Sequence, residues 1–109
     1  MFFKEITPLM DKEFRVKFSY NSTSYISGIV YLSDKELFIN YFHINPTIRG
    51  KGIGIQLLNN IIEFSKKTYN IDKVSLMDQS SRYRKPHNIY IKLGFIYDNN
   101  IDNSMTLKL

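Results

Sequence analysis

The chain has 109 residues, 43% of them hydrophobic and 23% charged, which is enough for one hydrophobic core and too little for two. It contains no Cys and only two His, so a disulfide framework, a Cys-ligated zinc site and a thiol nucleophile are excluded and no metal site is expected. No apolar run reaches the roughly 20 residues that a helix needs to cross a bilayer. We therefore expect one soluble, cytoplasmic domain over residues 1–109 with no membrane partner.

The net charge is +5, because 15 Lys and Arg residues outnumber 10 Asp and Glu residues. A basic surface favours anionic partners, which include nucleic acids, acidic lipids and phosphate-bearing cofactors. Charge alone does not choose among these classes. The pattern of a known nucleic-acid-binding module is not visible in the sequence, so nucleic acid is the least expected partner.

The first part of the chain has the pattern of an antiparallel meander. Phe2–Ile6 is predicted to form a short strand, and Thr7-Pro8 fits the start of a helix of one or two turns because Pro is favoured at the first helical position. Phe14–Tyr20 and Tyr25–Leu32 alternate apolar and polar side chains, which predicts a hairpin. Glu36–Ile44 is predicted to be the third strand of the meander and the central strand of the sheet.

The period of the apolar residues then changes from that of a strand to that of a helix. Apolar side chains from Ile53 to Phe64 recur at helical spacing, and Asn70 is suited to end this helix in a left-handed conformation. Lys73–Met77 is predicted to form the next strand. The order strand–helix–strand indicates a parallel crossover between Glu36–Ile44 and Lys73–Met77.

The C-terminal part of the chain predicts one more helix and a final hairpin. The helix is expected within Ser80–Leu93, with its regular part beginning near Pro86, and Gly94 ends it. Phe95–Tyr97 and Met105–Leu109 are predicted to pair as the last two strands. The predicted fold class is therefore α/β, with a mixed, mostly antiparallel central sheet and one parallel strand–helix–strand crossover.

Three of the five glycines lie within five residues, in the segment Arg49-Gly50-Lys51-Gly52-Ile53-Gly54. They fall between a predicted strand and the start of a long predicted helix, where backbone N–H groups are unpaired and no Cβ atom shields them. Together with the helix dipole and two cationic side chains, these groups suit a pyrophosphate. The spacing matches neither a nucleotide P-loop nor a dinucleotide fingerprint. A flexible basic loop in front of a helix is the alternative interpretation.

Two motifs in this order resemble the GNAT superfamily, the GCN5-related N-acetyltransferases. The first is the Arg-x-x-Gly-x-Gly spacing that begins at Arg49, which resembles the family's acyl-CoA pyrophosphate motif. The second is Tyr90-Ile91-Lys92-Leu93-Gly94-Phe95, which is similar to the Tyr-x-Lys-Leu-Gly-Phe end of the family's second cofactor-side helix. The resemblance covers about residues 14–109 and implies the acyl-CoA N-acyltransferase fold.

The resemblance also implies where acetyl-CoA, the acyl donor, is bound. The pantetheine arm is expected along the central strand at Phe42, His43 and Ile44. The diphosphate is expected over Arg49, Gly50, Lys51, Gly52, Ile53 and Gly54. Where many members have a cofactor-contacting Asn, seven residues before the motif Tyr, this chain has Tyr83. The family's one or two helices between its first two strands are reduced here to residues 7–13 at most.

Tyr90 is the best candidate for the general acid. A phenol titrates near pH 10 and a thiol near 8.5, so a neutral phenol can donate a proton to a departing sulfur at neutral pH. A Tyr at this position of the family's motif has that role. The structural alternative is an aromatic side chain that only packs under the sheet.

Two side chains of the predicted central strand are candidates for the general base. Glu36 begins the strand, thirteen residues before Arg49, at a position where some family members carry a catalytic Glu. His43 is the rival, because the ordinary pKa of His suits proton transfer better. Alternation predicts that Glu36 and Phe42, together with Asn40, lie on one face and His43, together with Tyr41, on the other, unless a bulge intervenes. Water alone is the third possibility.

A basic cluster formed by Arg82, Arg84, Lys85 and His87 precedes the second predicted helix. Cations are disfavoured at a helix start, so the cluster suggests anion binding, either of the cofactor's 3′-phosphate or of an acidic acceptor. A solvated basic loop is the alternative.

The sequence therefore predicts an N-acetyltransferase that moves an acetyl group from acetyl-CoA directly to a primary amine of a small molecule or peptide. The alternative is a non-catalytic acyl-CoA-binding or interaction module with the same fold, which the reduced N-terminal region favours. The exposed end strands and the reduced region suggest a homodimer. The acceptor amine cannot be read from the sequence.

Overall fold

The computed structural model describes residues 2–80, 82–86 and 88–109. Within them, seven strands, two α-helices and a short 3-10 turn follow one another in the order β1, β2, β3, β4, 3-10 turn, α1, β5, α2, β6, β7. The strands are β1 (Phe3–Met10), β2 (Glu13–Asn21), β3 (Ser24–Tyr31), β4 (Glu36–His43), β5 (Lys73–Met77), β6 (Ile96–Tyr97) and β7 (Ser104–Lys108). The 3-10 turn is Pro46–Ile48, and the helices are α1 (Ile53–Tyr69) and α2 (Ile89–Lys92).

All seven strands form one sheet in the order β1-β2-β3-β4-β5-β7-β6. Strands β4 and β5, which α1 connects, pair in parallel, and the other neighbouring strands pair antiparallel. The predicted fold class, a mostly antiparallel mixed sheet with a parallel strand–helix–strand crossover, is confirmed. The smallest dimension of the molecule is 19 Å, which corresponds to one helical layer on one sheet.

Helix α1 forms the core with one face of this sheet. Its apolar stripe (Ile53, Leu57, Leu58, Ile61 and Ile62) is buried against residues of the four central strands, among them Val30, Leu37 and Val74. Asn70 ends the helix in the left-handed conformation, with φ of 56°, and its N–H donates to the carbonyl of Lys66. The helical periodicity and the predicted stop residue are both confirmed.

The predicted helix start at Thr7-Pro8 is wrong. Strand β1 runs through both residues, with Pro8 opposite Phe14, and a two-residue turn at Asp11 and Lys12 leads into β2. Pro is tolerated here because β1 is an edge strand, where a missing N–H removes no inner hydrogen bond. The first two strands thus form a plain hairpin without a helix between them.

The predicted division of β4 into two faces is also wrong, because β4 contains a bulge. Ile39 pairs with Gly28 and Tyr41 pairs with Ser27, so Asn40 has no partner on β3. The extra residue reverses the alternation beyond it. Phe42 therefore joins Leu37 and Ile39 on the face that α1 covers, whereas Glu36 lies on the same face as Tyr41 and His43.

The second predicted helix is much shorter than expected. Helix α2 comprises only Ile89–Lys92, and residues 82–84 and 86 form turns. Pro86 precedes the helix instead of starting it, and the cap is Asn88, whose side chain accepts from the N–H groups of Tyr90 and Ile91. The final hairpin of β6 and β7 is present as predicted, with β6 one residue shorter and β7 of the predicted length but beginning one residue earlier. None of the helices in the described residues is long and apolar enough to cross a membrane.

Candidate active site

A cleft opens where the parallel strands β4 and β5 separate. Their pairing begins at Glu36 and Lys73 and ends at Ile39 and Leu76. Beyond that point β4 pairs only with β3, while Met77 pairs with β7. The backbone groups of β4 that face β5 beyond the bulge at Asn40 consequently have no partner on β5. The resulting cleft has a volume of about 930 Å³.

The cleft gathers most of the residues that the sequence predicts for cofactor binding. One wall is the end of β4 with the 3-10 turn, another is the start of α1, and a third is formed by the end of β5 and the start of α2. Of the predicted residues, the ones that line it are Phe42, His43, Ile44, Arg49, Gly50, Gly52, Ile53, Gly54 and Tyr90. Lys51, Tyr83 and Glu36 are not among its lining residues.

The start of α1 presents unprotected backbone N–H groups to this cleft. Gly52 is the N-cap, and no side chain of the described residues caps the helix or places a negative charge in its first turn. Gly50 and Gly52 have φ of 84° and 78°, a left-handed conformation that favours glycine. The N–H groups of the first turn have no partner within a helix, so together with the dipole they suit an anion.

Gly54 brings the helix close to the end of β4. A Cβ atom at Gly54 would lie 3.5 Å from side-chain atoms of both Phe42 and Ile44. This is ordinary contact, so Gly54 is not needed to prevent a clash, and it lines the cleft as a half-buried residue without a side chain. The diphosphate of acetyl-CoA fits the chemistry of this segment, which offers uncapped N–H groups beside glycines.

Arg49 connects the glycine segment to β4. Its Nε donates to the carbonyl oxygen of Ile44 at 2.9 Å, and its side chain is exposed. This bond closes the loop that carries the 3-10 turn. Asn45 supports the same loop, since its backbone N–H donates to Ser24 Oγ at 2.8 Å and its Oδ1 accepts from the N–H of Thr47 at 3.0 Å.

Tyr90 lies across the cleft on the first turn of α2. Its ring packs at centroid distances of 6.3 Å from Phe42 and 5.8 Å from Phe95. Burial raises the pKa of the Tyr90 phenol strongly, and the negative charge of Asp78 and the neighbouring Tyr97 raise it further. The phenol is therefore protonated throughout the neutral pH range.

A buried hydrogen-bond network stands behind Tyr90, and the sequence did not predict it. Asp78 and Asn88 are each 1% exposed. The Asp78 carboxylate accepts from Asn88 Nδ2 and from the Tyr97 hydroxyl, both at 2.5 Å, and from the hydroxyl of Ser80 at 2.6 Å. Ser80 is two residues from Asp78, but Asn88 and Tyr97 are distant in sequence, so no local pattern could have joined them to it. The one available signal was Asn before a short apolar helix, a common N-cap.

Opposing effects act on the pKa of Asp78. Burial alone would raise it, but the hydrogen bonds from the Ser80 and Tyr97 hydroxyls, the Ser80 backbone N–H and the Asn88 amide together lower it. The carboxylate is consequently ionised at neutral pH although it is buried.

The two candidate bases occupy different parts of β4. His43 is exposed, lines the cleft and lies opposite Tyr25 on β3. Glu36 is at the other end of the strand, half-buried, and its carboxylate accepts a hydrogen bond from the hydroxyl of Ser75. The structure thus brings His43 and Tyr90 to one cleft and leaves Glu36 about 13 Å along the strand from Asn40, at roughly 3.3 Å per residue.

The predicted basic cluster is divided by the structure. Arg82 lines the cleft. Arg84 instead lies over the ring of Tyr97, with the guanidinium carbon 4.4 Å from the ring centroid, and its Nε donates to the Tyr83 hydroxyl at 2.8 Å. That hydroxyl also donates to Asp102, so Tyr83 is engaged outside the cleft. Lys85 is exposed and does not line the cleft, and His87 lies outside the described residues.

Solved structures of several other proteins share this fold. Elp3 of Methanocaldococcus infernus, with an N-terminal deletion, has a TM-score of 0.78 and 13% identity, over 100% of this chain and 30% of its own. The PaiA N-acetyltransferase of Thermoplasma acidophilum, in complex with coenzyme A, has a TM-score of 0.69 and 19% identity, over 90% of this chain and 62% of its own. Spermidine N-acetyltransferase of Vibrio cholerae has a TM-score of 0.67 and 18% identity, over 90% of this chain and 66% of its own.

The chain is thus shorter than these proteins, spanning from under a third to about two thirds of their length. No curated protein sequence matches it. The sequence profile of the acetyltransferase (GNAT) family matches residues 15–95. That region runs from β2 through the glycine segment to Phe95 and includes both sequence motifs and the cleft between β4 and β5. The chain therefore belongs to the acetyltransferase (GNAT) family, whose members use acetyl-CoA as the acyl donor.

Proposed function

We propose that the protein is an N-acetyltransferase that transfers the acetyl group of acetyl-CoA to a primary amine of a small molecule or peptide. One observation supports this most directly. A single cleft is bordered by the uncapped start of α1, by the unpaired end of β4 and by the phenol of Tyr90. These are an anion site, a strand edge and a proton donor, arranged around one space.

The acyl donor would lie along the cleft from the glycine segment toward the bulge. The N–H groups at Gly52, Ile53 and Gly54 would hold its diphosphate, with positive charge from Arg49 nearby. The pantetheine amides would pair with the free backbone groups of β4 near Phe42 and His43, in the place that a neighbouring strand would otherwise take. The thioester would then reach the bulge, where a β4 N–H can stabilise the oxyanion.

In the chemical step, the amine nitrogen attacks the thioester carbonyl carbon. A C–N bond forms, the C–S bond breaks, and the sulfur leaves with the electron pair. Tyr90 donates the proton that neutralises the departing thiolate. The acceptor ammonium loses one proton to the base before attack, and the base passes that proton to solvent. The nitrogen loses a second proton as the amide forms, and this proton restores the Tyr90 phenol. The overall reaction therefore converts the ammonium and the thioester into an amide, a neutral thiol and one released proton.

Glu36 is proposed as the base, acting through water because of its distance from the bulge. His43 is the competing group, and since the bulge places both on the same face of the sheet, both are open to an acceptor approaching that face. Glu36→Gln removes the carboxylate's basicity and keeps its shape, and His43→Asn replaces the imidazole with a smaller polar side chain that is not basic. If Glu36 is the base, Glu36→Gln lowers kcat about 100-fold and His43→Asn changes it less than about threefold.

The acceptor is proposed as a primary amine, a class that includes the polyamines. The Vibrio cholerae neighbour is a spermidine N-acetyltransferase, and a structure of it contains coenzyme A and spermine. The basic side chains that line this cleft are His43, Arg49 and Arg82, and no Asp or Glu is among its described lining residues. A panel of test acceptors must therefore include peptide N-termini, amino acids and aminoglycosides as well as polyamines.

The test is release of free thiol from acetyl-CoA in the presence of each amine. Amine-dependent turnover by the unmodified protein, with formation of the acetylated amine, is the expected result. Coenzyme A binding without turnover on any amine would contradict catalysis and favour the alternative, a binding or interaction module. The direct hairpin between β1 and β2, which leaves one wall of the site without helices, is the observation that motivates this alternative.

The homodimer and the cytoplasmic location stay predictions. Strand β1 is an exposed edge strand along its whole length, so its free backbone groups are available for pairing. Light scattering of the purified protein measures its mass. A mass near 26 kDa, twice the 12.9 kDa of one chain, is expected for the dimer.

A further inference from the structure

Asp78 is a buried carboxylate that the proposed acetyl transfer does not use. It directly follows β5, is 1% exposed, and its backbone N–H donates to the carbonyl of Asn103 at 2.7 Å. Taking a carboxylate out of water is costly unless hydrogen bonds replace its hydration. Four hydrogen bonds to the Asp78 carboxylate replace its hydration here. The buried carboxylate and its donors therefore form a specific arrangement.

The carboxylate fixes the orientation of the Asn88 amide. An ionised carboxylate only accepts hydrogen bonds, so the Asn88 side chain must present its nitrogen to Asp78, and Nδ2 lies 2.5 Å from Oδ2. The amide oxygen is then directed to the other side, where it accepts from the N–H of Tyr90 at 2.7 Å and of Ile91 at 3.4 Å. With the amide reversed, an NH2 group would face those N–H groups and the cap would be lost.

Helix α2 depends on this cap because it is only four residues long. A single helical turn is not stable by itself in water, so its position is set by what binds its ends. The N-terminal end is held by Asn88, and the C-terminal end by the bond from the Phe95 N–H to the carbonyl of Tyr90 at 3.0 Å. Tyr90 is attached at both of these points, and its ring direction follows from them.

We propose that Asp78 and Asn88 are positioning residues for Tyr90, the carboxylate orienting the amide and the amide holding the helical turn that aims the phenol into the cleft. This role rests on the proposed function, in which Tyr90 donates a proton to the departing thiolate. Asp78 and Asn88 exchange no proton with the substrates. They act on the step only through Tyr90, by the position of its hydroxyl and, for Asp78, also by the negative charge that raises the pKa of the phenol.

A double-mutant cycle tests the proposal. Asp78→Asn, Tyr90→Phe and the variant with both changes are compared with the unmodified protein for kcat and for KM of acetyl-CoA. Asp34→Asn, in an exposed turn, is the matched control for the loss of one charge. Asp78→Asn is expected to lower kcat about tenfold with KM changed less than about twofold, because a misplaced acid weakens the chemical step and not binding.

The decisive comparison is the effect of Asp78→Asn when the phenol is already absent. In the Tyr90→Phe background it should change kcat less than about twofold, since no proton donor remains to be positioned. An equal loss of kcat in both backgrounds would show a general structural role and overturn the proposal, as would an unchanged kcat in the single variant. If the unmodified protein has no turnover, the proposed function fails and the positioning role with it.

An exchange variant keeps the test valid if Asp78→Asn folds poorly. The variant with Asp78→Asn and Asn88→Asp retains one amide and one carboxylate in the same pair, and Asp is itself a good N-cap. We expect it to recover kcat to within about threefold of the unmodified protein. A folded exchange variant with the low kcat of Asp78→Asn would overturn the proposal.

Discussion

Two segments border the cleft, and they are held in place by opposite means. Residues 44–54, from the end of β4 to the start of α1, use backbone conformation and contacts between near neighbours, such as the bond from Arg49 to Ile44. Residues 78–97 instead depend on Asp78, which gathers Asn88 and Tyr97 from ten and nineteen positions away. The first segment offers backbone groups to an anion, and the second carries the side chain proposed to give the proton.

Because they are held in different ways, the first segment serves ligand binding and the second contributes to the stability of the fold. A segment with free N–H groups loses function when a side chain or charge blocks them, while the fold remains. A segment held by a buried network loses stability when one of its members is removed, because the others are left without partners. Variants that block these N–H groups should therefore lower ligand affinity, and variants that remove a member of the network should lower stability.

Gly52→Asp is expected to have the largest effect. The carboxylate places a negative charge where the diphosphate binds, and the affinity for coenzyme A should fall about 100-fold, or about 2.7 kcal/mol. Isothermal titration calorimetry measures it, and Gly52→Asn is the matched uncharged control. Similar affinities for the two variants and the unmodified protein would show that the start of α1 is not the diphosphate site.

Asp78→Asn should lower the free energy of unfolding by about 2 kcal/mol at neutral pH, because it removes the ionised carboxylate at the centre of a buried hydrogen-bond network. The loss should depend on pH. Because the pKa of Asp78 is lowered in the folded state, its contribution is complete above the ordinary aspartate pKa of about 4 and disappears as pH falls through the folded value.

Urea unfolding at a series of pH values, followed by circular dichroism, measures this contribution. The difference between the unmodified protein and Asp78→Asn should shrink as the pH is lowered from 7 toward 3. A difference that is constant over this range would mean that the ionised carboxylate does not stabilise the 78–97 segment.

Gly50→Ala should have the smallest effect, a loss of about 1 kcal/mol of unfolding free energy from the left-handed backbone at this position. The new Cβ would meet no atom within 4 Å, so strain is its only cost. Gly54→Ala is the control, because Gly54 is helical and its Cβ would make ordinary contacts. Thermal unfolding distinguishes them, and an equal loss for both would contradict a conformational role for Gly50.

The contrast between the segments also explains what the sequence could predict. The periodicity from Ile53, the stop at Asn70 and the glycine spacing are local patterns, and they predicted the helix, the crossover and most of the cleft. Pro8 misled the prediction because Pro is tolerated in an edge strand as well as at a helix start. Similarly, nothing in the sequence around Asn40 distinguishes a bulge from a regular strand.

The candidate site was predictable to the same extent. Tyr90 and the residues of the glycine segment other than Lys51 line one cleft, and their roles stay predictions. Tyr83 does not line it, because its hydroxyl bonds to Asp102, a partner that sequence spacing cannot reveal. The network around Asp78 was missed for the same reason, since its members come together only when β5, α2 and β6 are packed.

The most direct test of the account is the rate of amine-dependent thiol release by the unmodified protein and by Tyr90→Phe, measured side by side at saturating acetyl-CoA. We expect turnover by the unmodified protein and a kcat about 100-fold lower for Tyr90→Phe, with coenzyme A affinity unchanged. A Tyr90→Phe variant that is as active as the unmodified protein would contradict the account.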